Sequence, residues 1–348
     1  MKQPYIYGSL TRISDLEKKP FDVVPIERSE WETGDYILTE IIDAGGNDLK
    51  MELSNGRERG VMGGDHLIGA LGERFATLEV TGTWREVDNS LKMNVLTAAG
   101  LLGKLTSKSV FIPPLIQLRY IGHASRDGKK VCMRDFISHI EVSDYNTPTV
   151  LFMGTSMSAG KTTSARIVTN LFKAAGYKVV GAKLSGAGRY KDILALKDVG
   201  ADAIFDFVDV GLPSTIISPD LYKKRLSLLL SMIQNVDADV AVIEIGASPL
   251  EPYNGDIAYE AIKEKVACTI LSASDPYAVH GLMKAFDLRP DIVSGITSNT
   301  EAGRQLVRTL CDVEALNLID PTTTRFLKHI LEETTGLKFE GRETYEYH

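Results

Sequence analysis

The stretch Thr149-Val-Leu-Phe-Met-Gly-Thr-Ser-Met-Ser-Ala-Gly-Lys-Thr-Thr163 constrains this chain more than any other. An apolar run that reads as a buried strand passes into a turn of small residues, and Ser164 to Lys173 continues at helical spacing. Strand, Gly/Ser-rich loop, Lys-Thr and helix in that order make a cradle for phosphate. Backbone N–H groups and the helix N-terminus face the anion, Lys161 supplies a point charge, and the Thr162 hydroxyl can ligate magnesium. The expected binding residues are Gly154, Thr155, Ser156, Ser158, Ala159, Gly160, Lys161, Thr162 and Thr163. The common pattern wants a glycine five residues before Gly160, where this chain has Thr155; its first glycine, Gly154, comes one place earlier.

A chain of 348 residues is long enough for two domains, each with its own core. No apolar run approaches a membrane span, and Met1 to Ser9 has no apolar signal core, so the expectation is a cytoplasmic protein without membrane contact. Cys132, Cys268 and Cys311 lie far apart without metal-ligand or redox spacing and read as buried or incidental thiols. A formal charge of −7, from 39 basic and 46 acidic residues, gives no polyanion-binding signal, so nucleic acid is not an expected partner.

Residues 1–145 show short alternating runs broken by glycine, aspartate and asparagine, the pattern of a small, mostly antiparallel domain curled into a sheet or barrel. Residues 35–42 and 49–53 read as a hairpin about Ala44-Gly-Gly-Asn-Asp48. Leu96 to Lys104 is the most helix-like interruption, and two extended runs flank Pro113-Pro114. His66 and His123 read as surface or structural histidines, and Asp65 and Glu73 as carboxylates that favour loop ends for backbone reasons. Ser143 to Pro148 is a turn-rich junction, which puts the boundary of the second domain, 146–348, there.

That second part alternates strands and helices, as a mostly parallel sheet with crossover helices does. Lys183 ends the second strand, at the edge where open α/β sheets bind ligands. Asp202, Asp206 and Asp209 are spaced so that one of them can serve magnesium, and spacing leaves open which. Glu244 interrupts the apolar run Val240 to Ile243, and a charge there has to be paired, protonated or bound to a cation. Thr162, Asp206 and Glu244 are thus the candidate magnesium set, and Lys161, Lys183 and Glu244 the candidate catalytic residues. The loop Pro249 to Asp256 is polar enough to line a substrate pocket, and Ser218-Pro-Asp220 reads as a helix start. Asn299, at the end of a later strand, suits a purine edge, and no Asn-Lys-x-Asp signature for guanine is present there, which favours ATP over GTP.

These residues resemble the dethiobiotin synthetase-like branch of the P-loop NTPases. The shared features are Gly154-Thr155 with Gly160-Lys161-Thr162, Lys183-Leu-Ser-Gly186, Glu244-Ile-Gly-Ala247 and Asn299. The stretch is more similar still to the P-loop half of the D-glutamate N-acetyltransferase family, through Asp202 to Gly211, Ser248-Pro-Leu250 and Pro252-Tyr253. The similarity covers roughly 149–300 and leaves out the β-rich first part; Ser156 and Ile245 depart from the synthetase pattern. The resemblance implies a homodimer and an ATP- and magnesium-dependent enzyme that activates a small substrate, a carboxylate or similar, by phosphoryl transfer. Two other uses of the scaffold are a nucleotide-switched assembly or metal-delivery protein, and an acyltransferase whose loop holds the phosphates of acyl-CoA.

Overall fold

A computed structural model describes residues 5–46, 49–246 and 248–339. Asn47 and Asp48 of the expected hairpin turn, Ala247 of the acidic strand end, and both chain termini lie outside the described residues.

The first part is built from one ten-stranded sheet. Within it, strands 66–71, 36–43, 117–126, 92–97 and 101–108 pair in that order, antiparallel throughout. A parallel pairing of Leu101 with Ala70 and Leu102 with Leu71 joins the last strand to the first and closes a five-stranded barrel. Closure removes the unpaired edges that an open sheet of this size would expose. Period-two alternation then divides the side chains. Ile37, Ile41, Leu67, Leu71, Val95 and Leu118 pack with one another in a separate core. Their neighbours of opposite parity, Tyr36, Leu38, Ile68, Ala70, Leu96 and Leu101, belong to the core shared with the second part of the chain.

Two local expectations are corrected here. Strand 36–43 does not form a hairpin with residues 49–53; it pairs with 66–71 and 117–126, while Lys50–Glu52 pairs with Glu58–Gly60 across the turn at Ser54-Asn-Gly56. Leu96 to Lys104 is no helix, because Gly100 at φ 88° turns strand 92–97 straight into strand 101–108. Alanines and leucines around a turn carry a helical look that the cross-strand pairing overrides.

The second part is a six-stranded, wholly parallel sheet in the order 203–206, 179–185, 240–245, 149–154, 266–272, 292–294. Helices α1 (Lys161–Ala174) and α7 (Thr324–Thr335) cover one face through Val168, Phe172, Leu327 and Leu331. Helices α3 (Pro219–Gln234) and α4 (Gly255–Ile262) cover the other, in the same core that receives the outer face of the barrel. Between them in sequence, α2 (Tyr190–Lys197) follows the Lys183 strand. Helices α5 (Pro276–Phe286) and α6 (Glu301–Cys311) start at Asp275 and Thr300, whose side chains accept from the N–H groups of Ala278 and Gly303. Helix α3 begins at Pro219 as expected, although the Ser218 side chain makes no cap bond. Among the described residues no helix is long and apolar enough to cross a membrane.

Candidate functional site

Register puts the candidate residues together. Lys183 lies directly beside Glu244 on one neighbouring strand and Asp206 on the other, and Glu244 lies beside Phe152 of the P-loop strand. All of these are at the carboxyl edge of the sheet, where the loop from Gly154 to Gly160 rises.

The loop has the backbone an anion cradle needs. Gly160 ends it at φ 103°, a left-handed conformation that side chains rarely adopt, and α1 starts at the next residue. The early first glycine also has a steric reason: a Cβ on Gly154 would lie 2.9 Å from the Lys161 chain. Thr155 ties the loop to the neighbouring strand, its N–H bonding Ser272 O at 3.1 Å and its hydroxyl accepting from Ser274 N at 3.3 Å. Lys161 is buried, and its Nζ donates to the Ser156 carbonyl at 2.7 Å, so the ammonium lies across the mouth of its own loop. Burial and the nearby Lys183 push its pKa down, and Glu244 partly opposes them. Ala159 is buried, whereas Ser158 and Thr163 are exposed; Ser158 reaches over to Glu79 of the first part at 2.9 Å.

Thr162 Oγ1 donates to Glu244 Oε2 at 2.9 Å. A hydroxyl and a carboxylate so joined beside a phosphate cradle are a donor set that suits magnesium, which takes oxygen ligands and needs only one or two from protein. Among the described residues no group of three or more His, Cys, Asp or Glu forms an all-protein metal cage. Lys183 Nζ is held by Asp192 of α2 at 2.5 Å. Burial disfavours the Lys183 charge, but Asp192 and Glu244 outweigh it and hold its pKa above the ordinary lysine value.

Asp206 is placed differently from the expectation. Its Oδ1 accepts from Arg12 at 2.8 Å and from the N–H of Val208 at 2.7 Å, which ties that oxygen to the first part of the chain and to its own turn, while Thr162 bonds Glu244. Asp209 shares the same Arg12 at 2.9 Å, and Asp202 pairs with Lys173 at 2.7 Å. Asn299 is exposed at the end of the turn 296–298 and does not line the cleft described below. The loop 249–256 docks the barrel instead of lining that cleft: Tyr253 OH accepts from Phe75 N at 2.8 Å and Glu251 from Thr77 N at 2.9 Å. His66 packs edge-on to Tyr5, and His123 is buried against Tyr120 and Asp35, both outside the site. Asp65 pairs with Arg59 and Glu73 with Arg85.

A cleft of about 240 Å³ opens between the barrel and the phosphate loop. One wall carries Lys161, Thr162, Lys183 and Glu244; the other is barrel, with Lys50, Arg74, Glu79, Leu96 and Ile116. Arg189 and Asp192 close one end. Nothing in the local sequence of the residues from the first part marks them; Arg189 follows the Lys183-Leu-Ser-Gly186 strand end by three residues.

A parallel sheet with a Gly-x₅-Gly-Lys-Thr loop between its central strand and α1, and an acidic residue at the adjacent strand end meeting the Thr hydroxyl, make up the P-loop NTPase fold. No protein-family model matches the chain, and no curated protein matches it by sequence. Solved structures that partly overlay it include HypB from Helicobacter pylori in complex with nickel, at 16% identity and TM-score 0.36 over 58% of this chain and 93% of that one. Chloroplast FtsY from Physcomitrella patens overlays at 15% identity and TM-score 0.35, over 51% and 61%. A DUF1611 family protein from Anabaena variabilis overlays at 12% identity and TM-score 0.35, over 57% and 61%.

Proposed function

We propose that this P-loop NTPase binds ATP with magnesium and passes the γ-phosphoryl group to a small acid held in the cleft under the barrel. The observation that carries the reading is the Thr162–Glu244 hydrogen bond at 2.9 Å, in a cleft that Lys161 and Lys183 also line. The loop amides and Lys161, swung from the Ser156 carbonyl onto the phosphates, would stabilise the β/γ oxygens. Thr162 and Glu244 would hold magnesium, which would supply positive charge to offset that of the phosphates. Lys183, kept charged by Asp192 and Glu244, faces the place where the acid's oxygen attacks phosphorus and the bond to ADP breaks. The wall from the first part of the chain would narrow the access of water, which otherwise accepts the phosphoryl group.

Membership of the dethiobiotin synthetase-like branch, closeness to the D-glutamate N-acetyltransferases and a homodimer belong to the same proposal, supported by the Gly154 to Thr162 spacing and the Lys183 and Glu244 strand ends. The test is nucleotide turnover by the purified chain, with ATP and GTP, with and without a panel of small acids. Turnover that requires an acid supports the proposal. Slow hydrolysis indifferent to acids would favour a nucleotide switch, and CoA binding without ATP binding an acyltransferase. Lys161→Ala with unchanged nucleotide affinity would overturn the phosphate site itself.

A further inference from the structure

Five basic side chains line the cleft, Lys50, Arg74, Lys161, Lys183 and Arg189, against three acids, Glu79, Asp192 and Glu244. Each acid is already engaged: Glu79 with Arg74 and Ser158, Asp192 with Lys183, Glu244 with Thr162. Among the described residues the Arg189 guanidinium has no hydrogen-bond or ion-pair partner, and its Nε is both sealed from solvent and unsatisfied. Glu52 accepts instead from the N–H groups of Tyr190 and Lys191, at 2.7 and 3.0 Å. Arg74 repeats the pattern from the other wall. Its Nη1 bonds Leu96 O at 2.7 Å and its Nη2 meets Glu79, yet its Nε is buried without an acceptor.

A buried donor left without a partner destabilises the fold, and more so when it is charged. Both guanidinium groups belong to residues that line the cleft, from opposite parts of the chain, and the unpartnered one of Arg189 marks a place where an acceptor arrives from outside. We propose that Arg189 and Arg74 form a second anion site, distinct from the phosphate loop, that takes the carboxylate of a small organic acid. A guanidinium fork matches a carboxylate in two parallel hydrogen bonds, which an ammonium cannot do. The remaining wall, with Leu49, Val95, Leu96, Leu115 and Ile116, is apolar and suits the carbon skeleton of such an acid rather than a second phosphate. The inference rests on the reading above only for which end of the cleft the nucleotide takes. Since the barrel supplies Arg74 and the apolar wall, it makes the first part of the chain the element that selects the substrate.

The test is calorimetric titration of the full chain, with and without saturating MgADP, using acetate, butyrate, succinate and glutarate. At least one acid binds the wild type, and Arg189→Gln weakens it by ~10-fold or more, the scale of one charge-assisted hydrogen bond, while MgADP affinity stays within about two-fold. Arg189→Lys, which keeps the charge and loses the fork, restores only part of the affinity. Thermal unfolding of the unliganded Arg189→Gln protein shows an equal or higher midpoint, because an unpaired positive charge among other basic groups has been removed; a purely structural arginine would lower it. Absence of binding by every acid, or binding indifferent to Arg189→Gln, overturns the proposal. Acid binding that depends on Arg189 in a protein that fails to bind MgADP would uphold this site and overturn the nucleotide reading alone.

Discussion

Arg12 donates to Asp206 at 2.8 Å, joining a residue near the start of the chain to the end of a strand in the parallel sheet. Both side chains are nearly sealed, 8% and 1% exposed, and the same guanidinium holds Asp209 and stacks over the Tyr190 ring at 4.7 Å. The pair is a bolt between the first part of the chain and the parallel sheet, and it commits Oδ1 of Asp206 to Arg12.

Arg12→Ala should therefore be severe. Removing one partner of a buried ion pair costs about 3–5 kcal/mol, because the remaining charge is left without compensation. Trp31 and Trp84, the protein's 2 tryptophans, both lie in the first part, and helices α1 to α7 all lie in the second. Tryptophan fluorescence and far-ultraviolet circular dichroism thus follow the two parts separately during urea unfolding. In the wild type the two transitions coincide, as one continuous core predicts. In Arg12→Ala the fluorescence transition should move to lower urea first; unchanged coincidence and midpoint would show that the bolt carries no weight.

A second link across the domains bears on the site. Glu52, from the barrel, accepts from the N–H groups of Tyr190 and Lys191 and so caps α2 with a full negative charge at its positive end. Helix α2 in turn carries Asp192, the partner of Lys183. Glu52→Gln keeps one acceptor oxygen and loses the charge, which should cost about 1–2 kcal/mol locally. Amide exchange over residues 190–197 should quicken while that of α1 stays unchanged. Equal protection of α2 in both proteins would remove Glu52 from the account.

The acid pair around Arg12 gives a pH signature. Burial, opposed by Arg12 and reinforced by Asp206, raises the Asp209 pKa from 3.8 to about 6. A carboxyl raised on folding contributes stability that is full below its unfolded pKa and is lost as pH rises through the folded value. Asp15, Asp35 and Asp202 are shifted down and act in the opposite sense, but they are common to wild type and variant and cancel in a comparison. The stability of the wild type relative to Asp209→Asn, from urea unfolding, should therefore fall between about pH 4 and about pH 7. A difference that is flat or rises over that range would contradict the raised Asp209.

The parallel sheet and its phosphate loop were legible because their signals are local. Val240 to Ile243 ending in Glu244, and Gly160-Lys161-Thr162 opening a helix, each fit within one strand or turn. The barrel was legible only as a class. Its strand pairing is set by contacts such as Ala70 with Leu101, far apart in sequence, so the apparent hairpin at 44–48 and the helix-like 96–104 gave way to cross-strand packing. The same non-locality hid the far wall of the cleft. Arg74, Glu79 and Lys50 have no motif, and only folding brings them opposite Lys183. The Arg12 partner of Asp206 was hidden for a related reason, since it lies 194 residues away.

Glu244 offers the most direct test of the ion site. Glu244→Gln leaves an amide oxygen that can still accept from Thr162, so the 2.9 Å contact and the fold should persist, while the negative charge that favours a cation is gone. Removing a group that orients or holds a metal lowers affinity by roughly 10–100-fold. The magnesium concentration that half-saturates nucleotide turnover should rise by that factor, with metal-free ADP binding unchanged, because the phosphates still rest on the loop amides and Lys161. Thr162→Ala should produce the same magnesium shift, and the double variant should fall well short of the product of the two, since both act through one ion. An unshifted magnesium requirement in Glu244→Gln would assign the carboxylate to balancing Lys161 and Lys183, whose pKa values it already influences, and leave the ion to other ligands.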